Sequence, residues 1–267
     1  MLEVELKENI KASFSAHALT YDLAASIHRR AASALFNRLR TDEQLSPIGP
    51  ILEIGCGTGN LSSLLDRHYR DRELIFVDLS ESMLRQCRLR LETGRFDLPR
   101  RFIAADAEHL HLDPAFQHLK FAEIASSFTF QWFADLQQVV GRLIGLLAPR
   151  GRLYFSFPAT GSFPEWRQIS RQANIPFTAN PLPGVPDLIE IAKQNNCRLD
   201  FEQLFLVDHF ADSHSFFSAL KRLGAATRFG RETQSISSLR GLMRQWDKEC
   251  PNGITATYRV ISGVLFK

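Results

Sequence analysis

A short apolar run, Ile51-Leu52-Glu53-Ile54, leads straight into Gly55-Cys56-Gly57-Thr58-Gly59 and then into a segment with helical spacing. Glycines at such a place let the backbone turn sharply and approach a ligand where a Cβ would collide. A glycine loop at the carboxyl end of a first parallel strand is where open α/β sheets bind nucleotides. The spacing here is G-x-G-x-G, and Asn60 stands where a dinucleotide fingerprint would have its last glycine. That favours a cofactor with no pyrophosphate to cradle. Cys56 lies inside the loop, where a small buried residue fits without any chemistry of its own.

Two carboxylates follow at matching places. The second strand-like run, Glu73–Val77, ends in Asp78, where an acidic group can accept hydrogen bonds from both ribose hydroxyls. The third, RFIAA, ends in Ala105-Asp106-Ala107, where a carboxylate can accept from an exocyclic adenine amine. Leu79 and Met83 supply apolar faces for the base. Either aspartate alone could be a helix N-cap, a common place for that residue. A loop, a ribose acid and an adenine acid at three successive strand ends carry more weight together than singly.

The elements that must position these residues alternate. ILEI is a strand and Asn60–His68 a helix; ELIFV is a strand and Glu81–Glu92 a helix. RFIAA, FAEIASS and GRLYFSF are further strands, with Leu136–Leu147 helical before the last. Strict alternation predicts parallel strands joined by helical crossovers. Upstream, Leu6–Leu39 is helical in pattern, with Ile27, Ala31, Ala34 and Leu35 at spacings of three and four and no proline. From Ala159 the pattern loosens: GSFPEW and ANPLPGVP read as loops, Asp187–Gln194 as helix and RLDFEQLFLV as strand. Ser213–Leu223 and Ile236–Trp246 read as helices, and ITATYRVISGVLF as the last strand. The expectation is one doubly wound α/β domain on a mostly parallel seven-stranded sheet. Residues 1–48 form an N-terminal helical lid and 49–158 the cofactor-binding core. Residues 159–267 form a substrate-side half with a helical insert at 211–250.

Composition excludes several classes. At 267 residues the chain can bury a real core, and 45% hydrophobic with 23% charged residues is ordinary for a globular protein. The start lacks a signal-peptide layout, and there is no apolar run long enough to span a bilayer, so a cytoplasmic location without membrane association is expected. Four scattered cysteines, with no C-x-x-C, give neither a zinc site nor a disulfide framework, so no metal is expected. A net charge of +3 is too mild to require nucleic acid.

The loop and strand-end set resembles the class I S-adenosylmethionine-dependent methyltransferases over Ile51 to about Phe157. Glu53, Gly55, Gly57, Asp78 and Asp106 fall on that family's cofactor positions, and LLAPRGRLYFSF is similar to its fifth-strand signature. The resemblance implies a Rossmann-like fold and S-adenosylmethionine as cofactor, with Cys56, Leu79, Met83 and Ala107 beside it. After the fourth strand the chain has Ser126-Ser127-Phe128-Thr129-Phe130-Gln131-Trp132, not the Asn/Asp-Pro-Pro-aromatic motif of nucleic-acid amino methyltransferases. Base amines are therefore not expected substrates, and the aromatics suggest an enclosed apolar pocket, although some of them can equally be core.

Outside the cofactor strands, KENIKASFSAHALTYDLAASIHRRAA, SSFTFQWFADL, LKRLGA and ITATYRVISGVLF resemble the BioC-type malonyl-acyl-carrier-protein O-methyltransferases of biotin synthesis. The similarity is strongest at Phe14…Tyr21-Asp22, Gln131-Trp132 and Lys221…Gly224-Ala225. It departs at His28, where glutamine is expected, and at FPATGSFPEW. The implied reaction is methyl esterification of the free carboxylate of a malonyl thioester carried by an acidic acyl carrier protein or by CoA. Such a carboxylate, with a reference pKa near 4, is already the nucleophile and needs no general base. Positioning and removal of water remain, and they can supply about 7–11 kcal/mol. Both partners lose charge in the transition state, so a tight arginine clamp would stabilise the ground state instead. Tyr21, Gln131 and Trp132 are the candidates for neutral positioning contacts.

For the partner, Lys221, Arg222, Arg228 and Arg231 head a basic run that could steer an acidic carrier, or simply be a solvated helix face. The rival readings are a methyltransferase of the same fold for a quinone precursor or free acid, an NAD-binding reductase, and a non-catalytic cofactor binder.

Overall fold

The computed structural model describes residues 2–42, 47–91, 99–116, 118–225 and 235–267. Two helices, α1 (Leu2–His17) and α2 (Ser26–Asp42), precede the alternating region. That region runs β1 (Ile51–Ile54), α3 (Ser62–His68), β2 (Leu74–Asp78), α4 (Glu81–Leu91), β3 (Arg100–Ala104), β4 (Phe121–Ser127), α5 (Leu136–Leu146) and β5 (Leu147–Pro158). Then come α6 (Pro164–Gln172), α7 (Val185–Gln194), β6 (Arg198–Phe210), α8 (Ser213–Arg222), α9 (Ile236–Glu249) and β7 (Ile254–Phe266).

The strands make one sheet in the order β3-β2-β1-β4-β5-β7-β6. The pairs from β3 across to β5 are parallel, and β7 is antiparallel to both its neighbours. The chain therefore starts mid-sheet at β1, winds outward to β3, and returns to lay β4 on the other side of β1. Crevices for ligands open at such a reversal, beyond the carboxyl ends of the strands. The expected doubly wound, mostly parallel seven-stranded sheet is the fold.

Side-chain alternation along the strands builds both faces. Leu52 and Ile54 of β1 and Ile75 and Val77 of β2 pack toward Val140 and Leu143 of α5 and Leu188 and Ile191 of α7. Ile51, Leu74 and Phe76 point the other way, to Leu35 and Leu39 of α2, Leu65 of α3 and Cys87 of α4. A third cluster, at the carboxyl end of the sheet, joins Ile27 and Ala31 of α2 to Trp166, Phe216, Trp246 and Tyr258. Glu53 shares the face of Ile51, so the alternation that buries β1 also turns a carboxylate inward, and only 2% of Glu53 is exposed.

Three elements differ from the sequence reading. The pattern over Leu6–Leu39 is two helices, separated by a short 3-10 turn at Tyr21–Leu23. Thr20 and Tyr21 are weak helix formers, and the Asp22 side chain is committed to Thr58 and Arg90. The segment GSFPEW is not all loop, because Pro164 opens α6 at a first helical position, where its missing N–H is no loss. Helix α3 begins at Ser62, two residues later than expected.

Candidate active site

The glycine loop takes its shape from two different constraints. Gly55 has φ 68°, and a Cβ there would lie 2.1 Å from Thr129 Oγ1, so close passage of the chain after β4 requires glycine. Gly57 has φ 55°, yet a Cβ would meet no protein atom within 4 Å, so this position faces an open cleft. Its N–H donates to Asp78 Oδ2 at 2.8 Å, while Ser80 N–H donates to Asp78 Oδ1 at 2.8 Å. Asp78 thus ties the end of β2 to the loop after β1.

The carboxylates here are held in poor solvent. Burial pushes Asp78 up to about 6, against the two backbone hydrogen bonds that favour its charge. Burial also raises Glu53 well above the carboxylate range, with nearby Cys87 adding to it and a hydrogen bond from Ser62 opposing it. Glu53 Oε2 is enclosed without a hydrogen-bond partner among the described residues. Cys56 is buried beside Cys87, and burial raises its thiol.

Glu53, Cys56 and Asp78 line one cleft with about 890 Å³ of empty space, its open mouth included. Glu53, Gly55, Cys56, Gly57, Asp78, Leu79, Met83, Asp106 and Ala107, the nine residues assigned to the cofactor, all face it. Asp106 also caps the 3-10 turn Ala107–Leu112, accepting from Glu108 N–H at 3.0 Å. The capping role and the cleft position are held by the same side chain.

The N-terminal segment covers this cleft. Lys7, Ile10 and Phe14 of α1 line it. Lys7 pairs with Glu108 and lies 3.5 Å from Asp106, and Ser15 Oγ is 2.8 Å from Ser80 Oγ. Below α1, Thr58 Oγ1 donates to Asp22 at 2.7 Å, and Arg90 of α4 pairs with the same carboxylate. Sequence reading missed Lys7 and Thr129. Lys7 lies in a helix with no motif to mark it, and Thr129 matters only through its proximity to Gly55.

A second, larger space, about 1,270 Å³ with its open mouth included, lies on the far side of a shared wall. Phe14, Tyr21, His28, Phe128 and Trp132 line both spaces. Phe14 meets Trp132 edge-on at 5.3 Å, and His28 lies 4.4 Å from Phe128 and 5.6 Å from Tyr21 between ring centroids. Of the three expected positioning residues, Tyr21 and Trp132 sit on this wall and Gln131 lines the second cavity alone. Gln131 Nε2 donates to the Phe128 carbonyl at 2.8 Å, and Phe128 itself takes a φ of 58°. Phe130 belongs to the core, stacked on Phe155 and Phe157.

Phe163, Trp166, Phe217, Leu220, Leu223 and Leu239 make most of the remaining wall of the second cavity apolar, with Thr178, Asn180 and Tyr258 adding uncharged polar groups. No lysine, arginine, aspartate or glutamate lines it among the described residues. Phe163 and Trp166 escaped the sequence reading because they flank the start of α6. Burial raises the phenols of Tyr21 and Tyr258 and lowers His28 to about 3, so all three are neutral. Lys221 and Arg222 are exposed at the end of α8, beside the cavity-lining Leu220 and Leu223. Arg228 and Arg231 lie outside the described residues. Among the described residues no cluster of three His, Cys, Asp or Glu could hold a metal ion, and no helix is long and apolar enough to cross a membrane.

The methyltransferase-domain family matches residues 51–151, the loop and the strands that surround it. A Magnetococcus marinus protein named malonyl-[acyl-carrier protein] O-methyltransferase is 32% identical over 248 residues, covering 92% of this chain and 88% of that protein. The chain belongs to the class I S-adenosylmethionine-dependent methyltransferases. An Anoxybacillus flavithermus methyltransferase of the same name is 31% identical over 262 residues, covering 96% of this chain and 95% of its own. The fold is shared with the YcgJ protein of Bacillus subtilis, with TM-score 0.62 at 14% identity over 88% of this chain and 98% of that one. The family match stops at residue 151, whereas the similarity to each of the two methyltransferases extends over more than nine-tenths of the chain.

Proposed function

We propose that this methyltransferase esterifies the free carboxylate of a malonyl thioester carried on an acyl carrier protein, the opening step toward the pimeloyl part of biotin. The observation that carries the reading is the second cavity: large, mostly apolar, uncharged among its described lining residues, and separated from the cofactor cleft only by a wall of aromatic side chains and His28. An oxygen nucleophile that needed activation would require a base there. A carboxylate does not, because it is ionised at neutral pH. Uncharged walls also avoid stabilising the carboxylate more in the ground state than in the transition state, where its charge is being lost.

S-adenosylmethionine supplies an activated methyl group when bound. In this reading Asp78 accepts from ribose hydroxyls, Asp106 from the adenine amine, and Glu53 Oε2, enclosed without a partner among the described residues, from the cofactor's ammonium. Leu79 and Met83 are the apolar faces for the adenine. The segment from α1 to the Tyr21 turn acts as a lid that excludes water. Tyr21, Gln131 and Trp132 position the acceptor, and the wide cavity takes the thioester and its pantetheine arm. The similarity to proteins named malonyl-[acyl-carrier protein] O-methyltransferase supports the substrate class.

The test is mass spectrometry of malonyl-acyl carrier protein incubated with enzyme and S-adenosylmethionine. The expected result is a gain of one methyl group that is absent with acetyl-carrier protein or free malonate. Cofactor binding by calorimetry without that gain would overturn the substrate assignment and direct the search to small acids and quinone precursors.

A further inference from the structure

Five residues line both the cofactor cleft and the acceptor cavity, so they flank the place where cofactor and acceptor would meet. Phe14 and Phe128 offer no hydrogen bond, which leaves Tyr21, His28 and Trp132. His28 stands on the first turns of α2, between the Tyr21 ring at 5.6 Å and the Phe128 ring at 4.4 Å. Packing on both sides fixes its plane. Its Nδ1 is enclosed and has no hydrogen-bond partner among the described residues. An enclosed nitrogen with nothing to donate to is better left as a bare lone pair, which places the proton on Nε2.

We propose that His28 is the specificity-determining hydrogen-bond donor of the acceptor site, its Nε2–H holding the malonyl carboxylate in line with the methyl group. This rests on the substrate reading above. The geometry suits the chemistry in two ways. The ring is wedged between the two spaces, at the place where nucleophile and electrophile must meet. It is also neutral, since burial and the nearby Arg29 hold it far below the usual imidazole range. A protonated imidazole there would repel the sulfonium and bind the carboxylate too tightly before reaction. A neutral N–H orients the oxygen and gives up little as charge is lost. Glutamine could do the same through its amide N–H, whereas an apolar residue of similar size could not.

The experiment compares His28→Gln and His28→Phe in the full-length enzyme, measuring KM and kcat for malonyl-acyl carrier protein and the cofactor Kd by calorimetry. His28→Phe is expected to raise KM roughly tenfold to a hundredfold, the scale of one hydrogen bond to a charged group. His28→Gln should stay within about threefold of wild type, and cofactor Kd should hold within about twofold for both. Should His28→Phe fail to bind cofactor, the more adaptable His28→Met takes its place in the comparison. Wild-type KM in the apolar variant, or equal impairment of the glutamine variant and the apolar one, would overturn the role of His28. Absence of methyl transfer to the malonyl carrier by wild-type enzyme would instead overturn the substrate reading itself.

Discussion

Thr58, inside the glycine loop, donates its hydroxyl to the Asp22 carboxylate at 2.7 Å, so the loop and the segment that covers it are joined by one hydrogen bond. Arg90 of α4 pairs with Asp22 from the other side and also donates to Asn60 at 3.0 Å. The three contacts close the cleft over its polar end. Asp22 is partly exposed, so each contact is worth little for overall stability. Asp22→Ala is therefore expected to leave the melting temperature nearly unchanged. Cofactor dissociation, followed by stopped-flow fluorescence, should quicken by roughly tenfold. An unchanged off-rate would mean that α1 alone keeps the cleft covered.

Asp78 is held at about 6 without cofactor, so it is a costly anion. The sign follows from its raised value: the folded protein prefers the neutral carboxyl, and ionisation begins to cost stability above the ordinary aspartate range. That cost grows until pH passes 6 and is constant beyond it. Asp78→Asn should stabilise the cofactor-free protein at neutral pH by about 1–2 kcal/mol, after allowance for one lost backbone hydrogen bond. The gain should vanish near pH 4 in thermal melts. In the wild type, cofactor affinity should weaken by about tenfold per unit as pH falls below about 6, because two hydroxyl donors need the ionised acceptor. A flat affinity profile would assign the ribose to another group.

How much of this was legible in the sequence depended on whether the signal was local. Glu53, Gly57, Asp78 and Asp106 stand out because strand ends impose a fixed spacing on residues that meet in space. The second cavity is different. Phe14 and Trp132 are 118 positions apart, yet their rings meet at 5.3 Å. A Cβ on Gly224 would lie 3.1 Å from Phe14 Cδ1, which brings a third distant motif to the same place. Periodicity shows nothing of this convergence; resemblance to a family pointed to the residues without showing that they touch. Helix α6 was hidden because GSFPEW has the composition of a loop, whereas Pro164 is an N-terminal helical residue and Phe163 before it takes a φ of 59°.

Gly55 is the position where the loop has no slack. A Cβ would stand 2.1 Å from Thr129 Oγ1 and 2.9 Å from Thr129 Cβ, on a backbone already at φ 68°. Gly55→Ala is expected to cost about 2–4 kcal/mol in denaturant unfolding, the sum of a strained φ and overpacking. Adding Thr129→Ala should recover only part of that, because the Thr129 Cβ stays in the way. Full recovery would show the hydroxyl and methyl to be the whole obstacle, with no strain in the loop itself.

On the proposed substrate reading Gln131 acts on the acceptor cavity through Phe128, whose carbonyl accepts one N–H of its amide. Without that bond the left-handed Phe128 loses an anchor, and the wall beside His28 loosens. Gln131→Ala should raise acceptor KM by roughly fivefold while cofactor Kd changes less than about twofold. Tyr21→Phe removes a neutral hydroxyl from the shared wall and should lower kcat/KM by a similar factor. If both variants match wild type in turnover and affinity, neither side chain positions the acceptor.

On the proposed substrate reading the carrier protein is recognised outside the cavity, and Lys221 and Arg222 are a basic pair next to it. Lys221 and Arg222 end α8, where Leu220 and Leu223 already line the acceptor cavity, so a carrier docked there could deliver its arm over a short path. Both side chains are exposed, which suits steering of an acidic helix more than tight binding. Reversing both to glutamate should leave folding and cofactor affinity intact. It should lower kcat/KM for malonyl-acyl carrier protein by roughly tenfold to a hundredfold at low salt, with the difference shrinking as salt is added. Malonyl-CoA, which has no protein surface to dock, is the control. Its methylation should fall by less than about threefold. Equal losses on both substrates would place the defect in the cavity and remove α8 as the docking element. Loss on neither would move the docking site elsewhere on the rim.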